Sequence, residues 1–170
     1  RLPGVDARVG SAEHLPFDDG AFDGVYAELV LHFMTDADAG VREMVRVVRA
    51  GGTIAAYQWD LAGGGFPLQP ILDAVHAGGY QSQQPPSAWA AALKASEDLW
   101  RSAGLVDVLT RQFEVSRTFE SFDDFWRTAN GSPRLRDLFA SLSPAELERI
   151  KEDARGRIAS AGDGPLVIKA

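Results

Sequence analysis

The sequence predicts an α/β protein with a mostly parallel sheet, and three observations carry that expectation. Phe22–Ala27 and Thr53–Trp59 are apolar, β-prone runs of strand length. Between them Val41, Met44, Val45 and Val48 recur at i, i+3, i+4 and i+7, the period of a helix with one buried face. The links are short, so strand, helix and strand read as one parallel βαβ unit.

The elements follow in order. Val5–Val9 alternates and ends at Gly10, as a strand does, and Leu15–Gly20 is a turn-rich loop. Asp36 or Asp38 can cap a helix that runs to Arg49 and stops at Gly51-Gly52. Gly63–Gly65 is a flexible link, and Pro67 suits the first turn of a short helix carrying Ile71, Leu72 and Val75. The Gln- and Pro-rich stretch Gly78–Ser87 reads as a surface loop or lid. Ser96 can cap Glu97–Ala103, and Val106–Thr118 holds two strand-like stretches. In the helical insert that follows, Phe122, Phe125 and Trp126 share one face, and Leu135, Leu138 and Phe139 another. Ser143-Pro144-Ala145-Glu146 is a capping box that starts a helix with Leu147, Ile150, Ala154 and Ile158 inward. Pro165–Ile168 is a last strand. The expected organisation is one domain: 1–60 core, 61–118 remaining core, 119–160 helical insert and 161–170 last strand.

Composition narrows the function. The chain has 170 residues, 45% of them hydrophobic, enough for a real core. Its formal charge of −7 disfavours nucleic acid, whose backbone is bound by clustered cations. No apolar run is long enough to span a membrane, and no signal-type stretch follows Arg1-Leu2-Pro3-Gly4. The absence of cysteine excludes disulfides and thiolate chemistry and fits a cytoplasmic setting. No pair of histidines has metal-ligand spacing, so no metal is expected. There is no G-x-S-x-G elbow of a hydrolase.

Gly10-Ser11-Ala12-Glu13-His14-Leu15-Pro16-Phe17-Asp18-Asp19-Gly20-Ala21-Phe22-Asp23 resembles a block of the class I S-adenosylmethionine-dependent methyltransferases, of the UbiE-like methyltransferase-domain group. Leu31–Asp36 resembles the segment after the family's fourth strand. Arg42–Gly52 resembles its helix and R-V-L-R-P-G-G turn, with Ala50 where proline is usual. Three blocks in register cover residues 5 to 60. The resemblance implies a Rossmann-like sheet and S-adenosylmethionine as cofactor. It also implies that the glycine-rich loop after the first strand and the acidic residue ending the second, which hold the cofactor in the family, would precede residue 5. The sequence is therefore read as the C-terminal portion of such an enzyme, with its N-terminal strands missing.

The resemblance places Gly10, Ser11, Ala12 and Glu13 at the adenine of the cofactor. Aspartate is usual at position 11; Ser11 keeps a hydrogen-bond acceptor without the charge. The plainer reading is a loop between a strand and a turn. Glu28 and Leu29 end the Phe22 strand, where open α/β sheets place ligands, and the resemblance puts them at the methionine end. A solvated or capping glutamate is the alternative. His32 can serve as a general base, or simply pack; His14 and His76 have weaker claims. Tyr57 and Trp59 end the next strand, where aromatic faces can line an acceptor pocket or meet a sulfonium. The function implied is methyl transfer to a small-molecule O, N or C acceptor. The alternative is a non-catalytic methyltransferase-like module completed by a partner chain or as a homodimer, since an incomplete sheet leaves an edge that proteins normally cover.

Overall fold

The computed structural model describes residues 4–158 and 164–170. The start of the expected last segment, 161–163, lies outside the described residues. The chain divides into two compact units: residues 1–62 with 85–112, and residues 63–84 with 113–170. The 61–118 stretch is shared between them.

In the first unit, strand β1 (Phe22–Glu28) pairs in parallel with β2 (Val48–Tyr57) through helix α1 (Ala37–Val47), the βαβ unit read from the sequence. Asp36 is the cap: its carboxylate accepts from the Ala39 amide at 2.9 Å. Ala37, Val41, Met44 and Val47 form the buried stripe. The helix stops at Val47, two residues before Arg49, because the chain enters β2 at once. Phe22 pairs with Val48 but Gly24 with Thr53, so the intervening Arg49–Gly52 bulges out of the ladder. Gly52 must be glycine there: a Cβ would lie 2.8 Å from the Asp23 carbonyl oxygen and 2.9 Å from that of Arg49.

Leu31, Met34, Val41, Met44, Ala90, Leu99 and Trp100 form this unit's core. Helix α3 (Leu93–Ser102) supplies the last two, and it begins three residues before Ser96, which lies inside it and does not cap it. Val5–Val9 is not a strand. Val5 and Val9 are exposed, and no described segment pairs with them, so their backbone has nothing to form a ladder with.

The second unit holds α2 (Gln69–Ala77), β3 (Ser116–Phe119), α4 (Phe122–Asn130), α5 (Pro133–Ser141), α6 (Pro144–Gly156) and β4 (Leu166–Lys169). Its core is aromatic: Phe119 meets Phe125 edge-on at 5.2 Å, and Trp126 stacks on Phe139 at 5.2 Å. The capping box is present, with the Glu146 amide donating to Ser143 and the Ser143 amide to Glu146. Ile150 and Ala154 point inward, with Leu147 and Ile158 packed beside them.

The sheet departs from the expectation. The β1–β2 pair is parallel, but β3 and β4 form a separate antiparallel pair. Only Ser116–Phe119 of the Val106–Thr118 stretch is a strand. Val106, Leu109 and Phe113 are exposed, so that segment lacks the buried face that would fix it in a sheet.

Candidate functional site

The carboxyl ends of β1 and β2 lie side by side in the first unit, and four of the sequence-predicted residues sit on or next to them. Glu28 and Tyr57 are register partners, and the Tyr57 hydroxyl donates to a Glu28 carboxylate oxygen at 3.2 Å. Both side chains are exposed, Tyr57 to 46%. Partial loss of water around the ring, with the Glu28 charge beside it, pushes the phenol pKa above its ordinary value. Leu29 follows in a left-handed conformation (φ +56°), and its amide donates to the Tyr57 carbonyl at 2.9 Å. That conformation is costly for a side chain with a Cβ, and strained backbone of this kind concentrates at functional sites. Trp59 lies two residues past the end of β2 and is half-buried.

His32 is 3% exposed, in the 3-10 turn Leu31–Phe33, with its ring 4.2 Å from that of Phe33. The turn is braced from behind. The Ser87 amide donates to the His32 carbonyl at 3.1 Å, and the Ser87 hydroxyl accepts from the Ala37 amide at 3.3 Å. The Gln58 side-chain amide donates to the Ala90 carbonyl and, at 3.2 Å, to the Ser96 hydroxyl. Sequence reasoning missed Ser87 and Gln58. Ser87 was part of the expected lid, yet it is buried, as are Ser82 and Pro85. No periodicity marks such a residue, because its value lies in backbone groups far along the chain.

The Gly10–Glu13 loop is tied to the segment after β1 by Glu13. One carboxylate oxygen accepts from the Thr35 amide at 2.6 Å and the Asp36 amide at 3.1 Å, and the other accepts from the Ser11 hydroxyl at 2.7 Å. The Ser11 hydroxyl, then the Asp36 amide, holds the Glu13 carboxyl below its ordinary range. Ser11 also accepts from the Glu13 amide at 3.2 Å, so part of its hydrogen-bonding capacity is spent within the loop. Ala12 packs against the core of this unit. Gly10 abuts Pro16, where a Cβ would meet Cδ at 3.0 Å.

A second clamp explains why the first and third sequence blocks occur together. Glu43 on α1 accepts from the Leu15 amide at 2.8 Å and pairs with Arg46 at 2.7 Å. Arg46 donates in turn to the Phe17 carbonyl, the Leu15 carbonyl and the Asp19 carboxylate. Arg46 holds the Glu43 carboxyl down to about 2 and is itself pushed up by it. A cleft of about 720 Å³ opens beside this loop, lined by His14, Phe17 and Arg46 among others. Its cations Arg8 and Arg46 are committed to Asp6, Asp19 and Glu43. His76 lies in the other unit, 3.1 Å from the Ser82 hydroxyl. Among the described residues, no group of three or more His, Asp or Glu has metal-ligand geometry, and no helix is long and apolar enough to cross a membrane.

The exposed Glu28 carboxylate has the Tyr57 ring beside it, and the Gly10–Ala12 loop carries only small side chains.

Residues 1–56 match the sequence profile of the methyltransferase-domain family. Over 59 residues the chain is 44% identical to a demethylmenaquinone methyltransferase of Mycolicibacterium gilvum, covering 35% of this chain and 25% of that protein. It is 49% identical over 49 residues to the ubiquinone/menaquinone biosynthesis C-methyltransferase UbiE of Stenotrophomonas maltophilia, covering 29% of this chain and 19% of that protein. The match spans about a quarter of the length of these curated relatives. The crystal structure of a candidate methyltransferase from an antibiotic biosynthesis pathway of Anabaena variabilis has the same fold. Its TM-score is 0.54 at 17% identity, covering 100% of this chain and 74% of that one. The similarity to the methyltransferase-domain family is thus carried by the first third of the chain.

Proposed function

We propose that the protein transfers a methyl group from S-adenosylmethionine to an O, N or C atom of a small-molecule acceptor. The observation that carries this reading is the gathering of Glu28, Leu29 and Tyr57 at the carboxyl edge of a parallel βαβ unit. S-adenosylmethionine supplies an electrophilic methyl on a positively charged sulfur. In this reading Gly10, Ser11, Ala12 and Glu13 hold the adenine side, and Glu28 and Leu29 hold the methionine side. Tyr57 and Trp59 line the acceptor side. The chain's contribution is alignment and exclusion of water, which supply much of the rate in such transfers. His32 takes a proton where the acceptor must lose one; because its ring is buried, that role requires the Leu31–Phe33 turn to open. A cytoplasmic setting suits a cysteine-free chain. Calorimetric titration of the full-length protein with S-adenosylmethionine tests the reading, with Glu28→Ala expected to weaken binding by roughly tenfold, the loss of one charge-assisted contact.

The outer edge of β1 favours a second statement. Among the described residues β1 pairs only with β2. In the second reading, the non-catalytic module, a partner chain or a second copy covers this edge. A stable dimer in light scattering, with no binding of S-adenosylmethionine, would favour it.

A further inference from the structure

The β3–β4 pair of the second unit has an open side. The Val115 amide donates to the Ala170 carbonyl at 2.9 Å and the Ala170 amide to the Val115 carbonyl at 3.0 Å, so the ladder begins at Val115 and runs to the Phe119–Leu166 pair. Hydrogen-bonding groups alternate along an antiparallel strand, which turns the amides and carbonyls of Glu114, Ser116 and Thr118 away from β4. Among the described residues, no strand pairs with them. Side chains alternate as well. Phe119 is buried, and the same alternation runs back through Arg117 and Val115 to Phe113, past the end of the core: Val115 is 40% exposed and Phe113 68%. The neighbouring strand β4 carries features that discourage a further strand, Pro165 before it and Lys169 at its end. The open side of β3 carries neither proline nor lysine, and such an edge is a template for another strand.

The order of residues selects which strand fits. Laid antiparallel on a second copy about Val115, the segment meets itself without conflict. Val115 then faces the second copy's Val115, and Glu114 faces its Ser116. Phe113 faces its Arg117, a guanidinium that lies over an aromatic ring, that of Phe119, at 4.7 Å within its own chain. A twofold axis at Glu114 would oppose two carboxylates, and one at Ser116 would set Val115 against a guanidinium. We infer that the protein forms a homodimer through the open edge of β3, with Val115 at the twofold axis and the two β3–β4 pairs joined into one antiparallel sheet. This edge is separate from that of β1, and the inference does not depend on methyl transfer.

Sedimentation equilibrium of the full-length protein is expected to show a dimer with Kd on the order of 10 µM, the weakness of a short interface. Val115→Asp and Val115→Lys each set like charges face to face and are expected to weaken it by at least about tenfold. An equimolar mixture of the two variants is expected to restore it, because opposite charges then meet. Val115 is exposed, so circular dichroism should show both variants folded. The chain has no cysteine, so Val115→Cys introduces a single thiol of similar size. Directly opposed residues of this kind have Cα atoms about 4.5 Å apart, within disulfide reach, and oxidised glutathione is expected to link two copies. Ser116→Cys lies too far from its own counterpart, and little linkage is expected. A monomer at about 100 µM, ten times the expected constant, overturns the inference. So does a dimer that ignores both charged variants, or a cross-link that favours Ser116→Cys over Val115→Cys. S-adenosylmethionine affinity is expected to be the same with and without Val115→Asp; absence of cofactor binding in both would count against the methyltransferase reading and leave this interface standing.

Discussion

Glu28 and Tyr57 face one another across the parallel β1–β2 pair, the phenol hydroxyl donating to the carboxylate at 3.2 Å. Backbone register sets this meeting, and the Leu29 amide, bonded to the Tyr57 carbonyl, locks it in place. A negative charge and an aromatic ring are thereby held at one edge.

The pair should be visible by titration. Partial loss of water around the ring and the Glu28 charge both raise the Tyr57 phenol above its ordinary value of 10. Glu28→Gln removes the charge, so one tyrosine is expected to titrate at lower pH in that variant, followed by absorbance at 295 nm. An unchanged titration curve would mean that the two side chains do not meet in solution.

Acid should loosen both units over one pH window. In the folded protein, Arg46 holds the Glu43 carboxyl down to about 2, and Ser143 does the same to Glu146, both from an ordinary 4.5. A carboxyl depressed in the folded state adds stability above its ordinary value and loses it as pH falls toward the folded value. Melting temperature is therefore expected to decline between about pH 4.5 and 2. Glu43→Gln should flatten that decline and speed hydrogen exchange at the Leu15 amide, which loses its carboxylate acceptor.

How much of this was legible in the sequence depends on the range of the interaction. The βαβ unit, the Asp36 cap, the capping box at Ser143 and the buried stripe of α6 are local, because each is written in residue types at fixed short spacing. The end of α1 was misjudged because Gly51-Gly52 signals a stop, whereas Val48 had already joined a strand whose partner lies 26 residues earlier. Val5–Val9 has the alternation of a strand, but a strand exists only with a neighbour. At the candidate site, Glu28 and Tyr57 were found by position at strand ends. The Glu43–Arg46 clamp and the Ser87 brace were not, since they join residues 28 and 50 positions apart.

Ser87 offers a clean stability test. It is 1% exposed, and its hydroxyl accepts from the first amide of α1. Ser87→Ala leaves that buried amide without its acceptor and is expected to cost about 1–3 kcal/mol. Urea unfolding measures it; a loss near zero would mean that the amide finds another acceptor.

Phe125 is the corresponding test in the second unit, where it is fully buried against Phe119 and Phe122. Phe125→Ala should destabilise that unit by about 3–5 kcal/mol. Hydrogen exchange should then rise in α4 and α6 while α1 is spared, if the two units unfold separately. An equal rise in α1 would show that they unfold as one.

The central claim is that the carboxyl edge of β1, with the loop that Glu13 ties down, is the cofactor side of a methyltransferase. Calorimetric titration of S-adenosylmethionine into the full-length protein and its Glu28→Ala variant tests it most directly. One-to-one binding is expected, weakened roughly tenfold by the substitution. Absence of binding, or equal affinity in both proteins, would contradict it.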